Sequence, residues 1–472
     1  MGITGIQLER LMVDICWLSA LLLVGKFLRV KLVILQKLFL PASVIAGFIG
    51  LLLGPYVMGR YAFTAIPNEM MASWLLYPGR LINIVFACLF LGFSIPSFKT
   101  IWREGGPQLC YGWIVGMGQY VVGLGACVML LTPVFGVPVF FGCLLEIGFS
   151  GGHGTAAGMQ EAFSQLGFEA GSDLGFMSAT VGVISAVVFG MTMINIAARR
   201  RYTAVIQSPQ ELSMDRIRGL IPEDKRERGS TNTISPDALE PFAFHAAVVG
   251  LAILIGWYVL LGIKHVSGNY LVHLTRGVDL FRSFPLFPIA MLAGLFIQIV
   301  SVRTGISKYF DRQTFDRILG LALDFLVVSA IASIKLDVFF AYIWPFSILM
   351  IVGLVWIIFM TWIVAPRMLP DAWFERAIVE YGMQTGVTAL GLLLLRVADP
   401  NFKTPAAKSF GFKQIIYEPM LGGGFITAAM PILIYNFGMA IPSVIAVGSI
   451  LLMAGVAFFS GWFHKFEKPK KE

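Results

Sequence analysis

Long apolar runs separated by short polar loops make up most of the chain. Residues 11–30, 109–131, 243–261 and 343–364 each extend for about 20 residues with few charges, enough to cross a ~30 Å hydrocarbon core as a helix. Further apolar segments fall near 38–58, 74–95, 137–160, 174–198, 284–302, 318–338, 377–395, 415–436 and 440–463. The runs are solidly apolar and lack the ~10-residue alternation of outer-membrane strands, so the pattern predicts an all-α polytopic membrane protein. One stretch differs. Residues 199–240 begin RRRY and contain PEDKRERGSTNTISPD, the composition of a flexible linker, and they divide the chain into an N-terminal half (1–198) and a C-terminal half (241–472).

Two of the apolar segments carry polar insertions. Residues 145–158 read LEIGFSGGHGTAAG, and residues 379–391 read VEYGMQTGVTALG. Laid over each other from Glu146 and Glu380, Gly148 meets Gly382 and Gly152 meets Gly386; Thr155 meets Thr388 when one residue is skipped. Glycine runs weaken a helix and permit positive φ, so the backbone can unwind there. Unwound N–H and C=O groups cannot face lipid and persist at membrane depth only inside protein or along a watery cavity. Carbonyls and hydroxyls then offer hard oxygen ligands for Na⁺, and opened helix N-termini favour anions. The pattern thus predicts broken hairpins over 137–160 and 377–395. Ser150, Gly151, Gly152, His153, Gly154 and Thr155 of the first, with Gln384, Thr385, Gly386 and Thr388 of the second, are the candidate substrate-binding residues.

The distribution of Lys and Arg supports this reading. Basic residues cluster at 26–37, at Lys99 and Arg103, through the linker, at 303–317, 367–376 and 396–413, and at the C-terminus. If every apolar segment crossed the membrane, 199–201 and 26–37 would face opposite sides, against the positive-inside rule. If the two motif segments enter and return instead, with the N-terminus outside, all these clusters become cytoplasmic and the loops at 161–173 and 437–441 lie outside. The loop at 264–282, with Lys264, Arg276 and Arg282, is the main exception. One motif then enters from each side, which is the inverted-repeat plan of many secondary transporters.

Composition agrees. Of 472 residues 57% are hydrophobic and only 13% charged, with a mean hydropathy of +0.80, far from a soluble domain. In such a chain the net charge of +8 sets orientation and gives no reason to expect a nucleic-acid partner. The five cysteines lie in or beside apolar segments and read as inert buried thiols. The N-terminal MGITGIQLER lacks a basic n-region and a small-residue cleavage site, so the first apolar run is expected to remain as a membrane helix.

These residues also carry a resemblance. IGFSGGHGTAAGMQEAF (147–163) resembles the SGGHGT signature of the bacterial sodium/glutamate symporter family, and the similarity extends in family order to PASVIAGFIGLLLG (41–54), to IKL at 334–336 and to 380–391. It implies two inverted repeats joined by a cytoplasmic linker, with hairpins at the site. It also implies a homodimer in which a scaffold domain dimerises while a transport domain moves, and Na⁺-coupled uptake of L-glutamate across the inner membrane, with no cofactor beyond Na⁺ as coupling ion. The chain departs from the family's second motif, which is richer in glycine and continues with Ala-Thr-Pro, whereas this chain has Gln384, Val387 and no proline. Residues 395–413 also diverge, and the terminal helix at 441–463 is longer than the family pattern.

Other polar residues have alternative readings. Glu146 and Glu380, ionisable at apolar depth, are candidates to hold Na⁺, to accept hydrogen bonds from unwound backbone, or to reach water at a hairpin mouth. Asp324 is a candidate for ion coupling or for an interhelical hydrogen bond, and Asn436 for offering an amide oxygen to Na⁺. Lys335 either meets a substrate carboxylate or snorkels. His153 donates to a substrate, titrates in the cycle, or pins the loop. His245, His265, His273 and His464 lie near membrane ends, where solvent or interface roles are expected; Asp14 has no assigned partner.

No HExxH, GxSxG or GxxxxGK[ST] pattern is present, so the expectation is a transporter and not an enzyme. Two rivals remain: the same fold carrying another carboxylate or coupled to H⁺, and an intramembrane enzyme using His153.

Overall fold

Helix starts in this chain are marked by side chains that accept the otherwise unpaired N–H groups of a first turn. Ser97 caps Phe98–Ala126 through the Thr100 N–H, Glu240 caps Pro241–Val266 through the Ala243 N–H, and Asp311 caps Arg312–Ala332 through the Thr314 N–H. Left-handed glycines end others: Gly136 after Thr132–Phe135 and Gly305 after Phe287–Thr304. The structure is a computed structural model that describes residues 5–37, 40–60, 64–93, 97–205, 230–271, 281, 284–399 and 403–464. Most of the linker, together with His273, Arg276 and Arg282, lies outside the described residues.

Among the described residues all regular structure is helical, and nine helices are long and apolar enough to cross a membrane. The protein is a multi-pass membrane protein. The apolar runs at 11–30 and 243–261 fall in Gly5–Lys31 and Pro241–Val266, that at 109–131 in Phe98–Ala126 and the turn after it, and that at 343–364 begins with the helix that starts at Ile343. The terminal helix spans Ala440–Phe459.

Contacts divide the chain into two units. The first gathers the described residues of Met1–Ser94, Ala157–Phe176 and Met214–Val338; the second gathers those of Ile95–Ala156, Met177–Ser213 and Phe339–Glu472. Each unit therefore draws on both sides of the linker.

In the first unit one core joins Leu18, Leu21, Ala46, Trp74, Val328 and Ala332, and another joins Ala87, Cys88, Val249, Ala252, Ala290 and Phe315. Small residues let the helices approach closely: a methyl at Gly50 would lie 2.8 Å from Cβ of Ala332. Asp14 finds its partners here, accepting from Ser73 Oγ (2.7 Å) and Tyr77 Oη (2.6 Å). His245 does not match the expected solvent or interface role. It is fully buried, with Nδ1 2.6 Å from the Pro241 carbonyl and Nε2 accepting from the Asp311 N–H at 2.8 Å, so it ties one helix start to another. His265 and His464 are exposed. Four of the five thiols, Cys88, Cys110, Cys127 and Cys143, are buried and free; Cys16 is exposed.

The second unit is arranged on Phe98–Ala126. Ala406–Tyr417, Ala440–Phe459, Ile343–Phe359 and Trp373–Ala398 all pack on it. Its glycines admit bulky neighbours: the Trp356 ring lies on Gly118 and donates from Nε1 to the Val115 carbonyl (3.0 Å), while Gly116 faces the Tyr417 hydroxyl.

Candidate functional site

The second unit holds the second motif and the first motif through Ala156, and both motifs are broken. In the first, the Leu144–Gly148 helix stops, residues 149–151 are non-helical, and helix resumes at Gly152, which takes φ +71°. Only a residue without Cβ adopts that conformation at little cost. The loop is held from within: Gly151 N–H donates to the Glu146 carbonyl (2.9 Å) and Thr155 Oγ1 to the Gly151 carbonyl (2.9 Å).

In the second motif, Trp373–Ala398 is long enough overall to span a membrane, but its backbone leaves the helix at Gly386 (φ −151°, ψ 36°) and Val387 (φ 63°, ψ 171°). The pieces on either side, 373–385 and 388–398, are each shorter than the ~20 residues a crossing needs. A β-branched residue at positive φ is a strained conformer, costing about 1–3 kcal/mol, and such residues cluster at functional sites. The two breaks touch. A Cβ added at Gly152 would collide with Cγ1 of Val387, and one added at Gly182 would collide with the Thr385 carbonyl oxygen.

Glu146 is buried and saturated. Tyr120 Oη donates to its Oε2 (2.6 Å), while the Gly422 N–H (2.7 Å) and Thr427 Oγ1 (3.0 Å) donate to Oε1. It fastens the first motif to a third glycine-rich loop, LGGGF at 421–425, where Gly422 and Gly423 both have positive φ.

Glu380 is equally buried, in a different network. Its Oε1 accepts from Lys413 Nζ (2.8 Å) and Gln384 Nε2 (3.0 Å), and its Oε2 from Gln108 Nε2 (2.9 Å). Lys413, counted from sequence within a cytoplasmic cluster at 396–413, is fully buried on the Ala406–Tyr417 helix. Its ammonium stands 3.5 Å from the centre of the Tyr417 ring. The Gln384 amide oxygen accepts from Gln119 Nε2 (2.8 Å), and the Tyr417 hydroxyl lies 2.9 Å from Gln384 Nε2 and 3.5 Å from Ser150 Oγ. Three buried amide oxygens in this unit, on Gln108, Gln119 and Gln414, take no hydrogen bond among the described residues.

The remaining candidates are scattered. His153 is buried, with Nε2 3.0 Å from Thr180 Oγ1. Thr385 bonds back to the Tyr381 carbonyl (2.7 Å), and Thr388 Oγ1 donates to Glu418 (2.8 Å) and accepts from Gln414 (2.6 Å). Asn436 is half-buried and gives its amide N–H to Ile432 of its own helix (2.8 Å). Asp324 belongs to the first unit, is exposed there and takes a hydrogen bond from Ser43. Lys335, also in the first unit, is half-buried, and its backbone N–H meets Asp173 at 3.3 Å. No cluster of three His, Cys, Asp or Glu suited to a metal ion occurs among the described residues.

Lys413, Gln108, Gln119, Tyr120, Tyr417, Thr427 and the 422–424 loop escaped the sequence reading. The glycine triplet carried the same signal that singled out SGGHG. Gln108 and Gln119 were legible as polar residues on one apolar helix.

A curated sodium/glutamate symporter of Haemophilus influenzae is 21% identical over 327 residues, covering 67% of this chain and 70% of that protein. A sequence profile of the sodium/glutamate symporter family matches residues 6–388, which take in both motifs through Thr388. With that profile covering most of its length, and with the paired breaks in its second unit, the chain belongs to the sodium/glutamate symporter family.

Proposed function

We propose that this protein is an inner-membrane secondary transporter that couples uptake of L-glutamate to Na⁺ by alternating access. The observation that carries the reading is the meeting of two unwound segments at Gly152 and Val387, beside two buried and fully engaged carboxylates. Unwound backbone at membrane depth must line a protein-walled or watery site, and it supplies both oxygen ligands for a cation and N–H groups for a carboxylate. Ser150, the Gly151–Gly154 backbone and His153 serve the anion in this reading, with Gln384, Thr385 and Gly386 opposite. Glu146 and Glu380 hold the breaks open. Thr388 closes its end of the site through Glu418.

The second unit, which contains both backbone breaks, is the transport domain of the proposal; the first is the scaffold and the dimerising part of a homodimer. The N-terminus faces outside and the C-terminus faces the cytoplasm in this proposal, an orientation that puts the basic clusters, apart from the loop at 264–282, in the cytoplasm.

Binding linkage tests the proposal. If Na⁺ organises the unwound donors before the anion arrives, Na⁺ raises glutamate affinity and glutamate raises Na⁺ affinity by the same factor. Calorimetric titration of purified protein in both orders measures the two factors. Glutamate binding indifferent to Na⁺ contradicts the proposal. Equal linkage with a different carboxylate keeps the mechanism and changes the cargo.

A further inference from the structure

The centre of the second unit contains a charge pair that no transported ion supplies. Lys413 Nζ and Glu380 Oε1 are 2.8 Å apart, and both side chains are almost wholly withdrawn from solvent (0% and 1% exposed). Burying two charges is costly, and a pair kept at such depth needs close geometry and additional hydrogen bonds. Both are present: Gln108 and Gln384 complete the carboxylate, and the Tyr417 ring faces the ammonium. Space is made for the pair as well. A Cβ at Gly112 would lie 2.6 Å from Glu380 Oε1 and 2.7 Å from Lys413 Cε.

We propose that the Lys413 ammonium is a tethered cation at the second motif, occupying at Glu380 the position that a dissolved monovalent cation would otherwise take. The inference rests on reading this region as the cation-coupled site. It goes further in assigning one cation of that site to the protein itself, so that the coupling ion binds elsewhere. The ammonium itself is met by one Glu380 oxygen, the Met383 sulfur (3.6 Å) and the Tyr417 ring. Gln108, whose Nε2 donates to the carboxylate, also carries a buried amide oxygen that takes no hydrogen bond among the described residues, an oxygen already desolvated. Lysine satisfies the carboxylate without using that oxygen. An alkali cation, which prefers several oxygens, would use it.

The consequence is an exchange. Removing the lysine charge while keeping Glu380 leaves a buried carboxylate and unpaired amide oxygen, which Na⁺ can fill. Removing both charges leaves nothing for Na⁺ to join.

The test uses the full-length protein purified in detergent, with thermal unfolding followed in NaCl and in choline chloride at equal ionic strength. Lys413→Met is compared with wild type and with the Lys413→Met/Glu380→Gln double variant. The expected result is that Na⁺ raises the Tm of Lys413→Met by at least ~2 °C more than it raises that of wild type, as a newly acquired ligand should. The double variant is expected to show no such excess. An equal Na⁺ response in wild type and Lys413→Met overturns the proposal. So does a Lys413→Met protein that stays unfolded even in NaCl, whether or not the double variant folds, because the vacated position then accepts no dissolved ion. The readout is ion binding and needs no transport, so a wild type that fails to move glutamate would defeat the proposed function and leave this test standing.

Discussion

Gly152 and Val387 stand against each other, a left-handed glycine of one motif beside a left-handed valine of the other, with no room for a Cβ on the glycine. The chain thus places its two backbone breaks in contact, although 234 positions separate the residues that align at their starts, Glu146 and Glu380. Each break leaves amide and carbonyl groups that lipid cannot satisfy, and bringing the breaks together concentrates those groups in one protein-walled place.

Gly152→Ala is therefore expected to impair the site in two ways, by straining φ and by striking Val387. Uptake should fall at least ~10-fold, corresponding to the ~1.4 kcal/mol that one such effect readily supplies. Adding Val387→Gly removes the collision and relaxes a strained position, so the double variant should recover part of the activity. Independent effects in a double-mutant cycle would show that the contact does not matter.

The Glu146 carboxylate is expected to act as a structural clamp. Thr427→Val deletes one of its three donors and should cost about 1.5–3 kcal/mol, the range for hydrogen bonds to charged groups. Glu146→Gln should cost more, because its new N–H₂ group faces donors. Thermal or denaturant unfolding reads both, and a Thr427→Val protein as stable as wild type would mean that the clamp contributes little.

His245 gives a contrasting case in the first unit. Replacing it with Ala removes the acceptor of the half-buried Asp311 N–H and the link to Pro241, at an expected cost of about 0.5–1.5 kcal/mol, the net range of a hydrogen bond. Glutamate affinity of the folded fraction should be unchanged, since His245 lies outside the second unit. A change in affinity would show that the first unit takes part in binding.

Sequence showed most of the fold because membrane helices announce themselves by length and apolarity, and nine such helices are found among the described residues. The broken motifs were legible for the same reason in reverse, since glycines and hydroxyls are conspicuous in an apolar run. The partners of the two carboxylates were not. Lys413 sits in a stretch with other basic residues, and composition counts it as a loop charge; only packing turns it inward onto Glu380, 33 positions earlier. Gly422 lies 276 positions from Glu146, a pairing that no local pattern specifies. His245 lies near a helix start, a position that in sequence suggests exposure, yet its ring is the hydrogen-bonded link between two helix starts.

The central claim is that the paired breaks form a Na⁺-coupled glutamate site, and uptake of labelled L-glutamate into proteoliposomes tests it most directly. An inward Na⁺ gradient should drive accumulation, an inward K⁺ gradient or a pH gradient alone should not, and Gly152→Ala should abolish most of the Na⁺-driven signal. Accumulation that ignores Na⁺, or none under any gradient, would contradict the account.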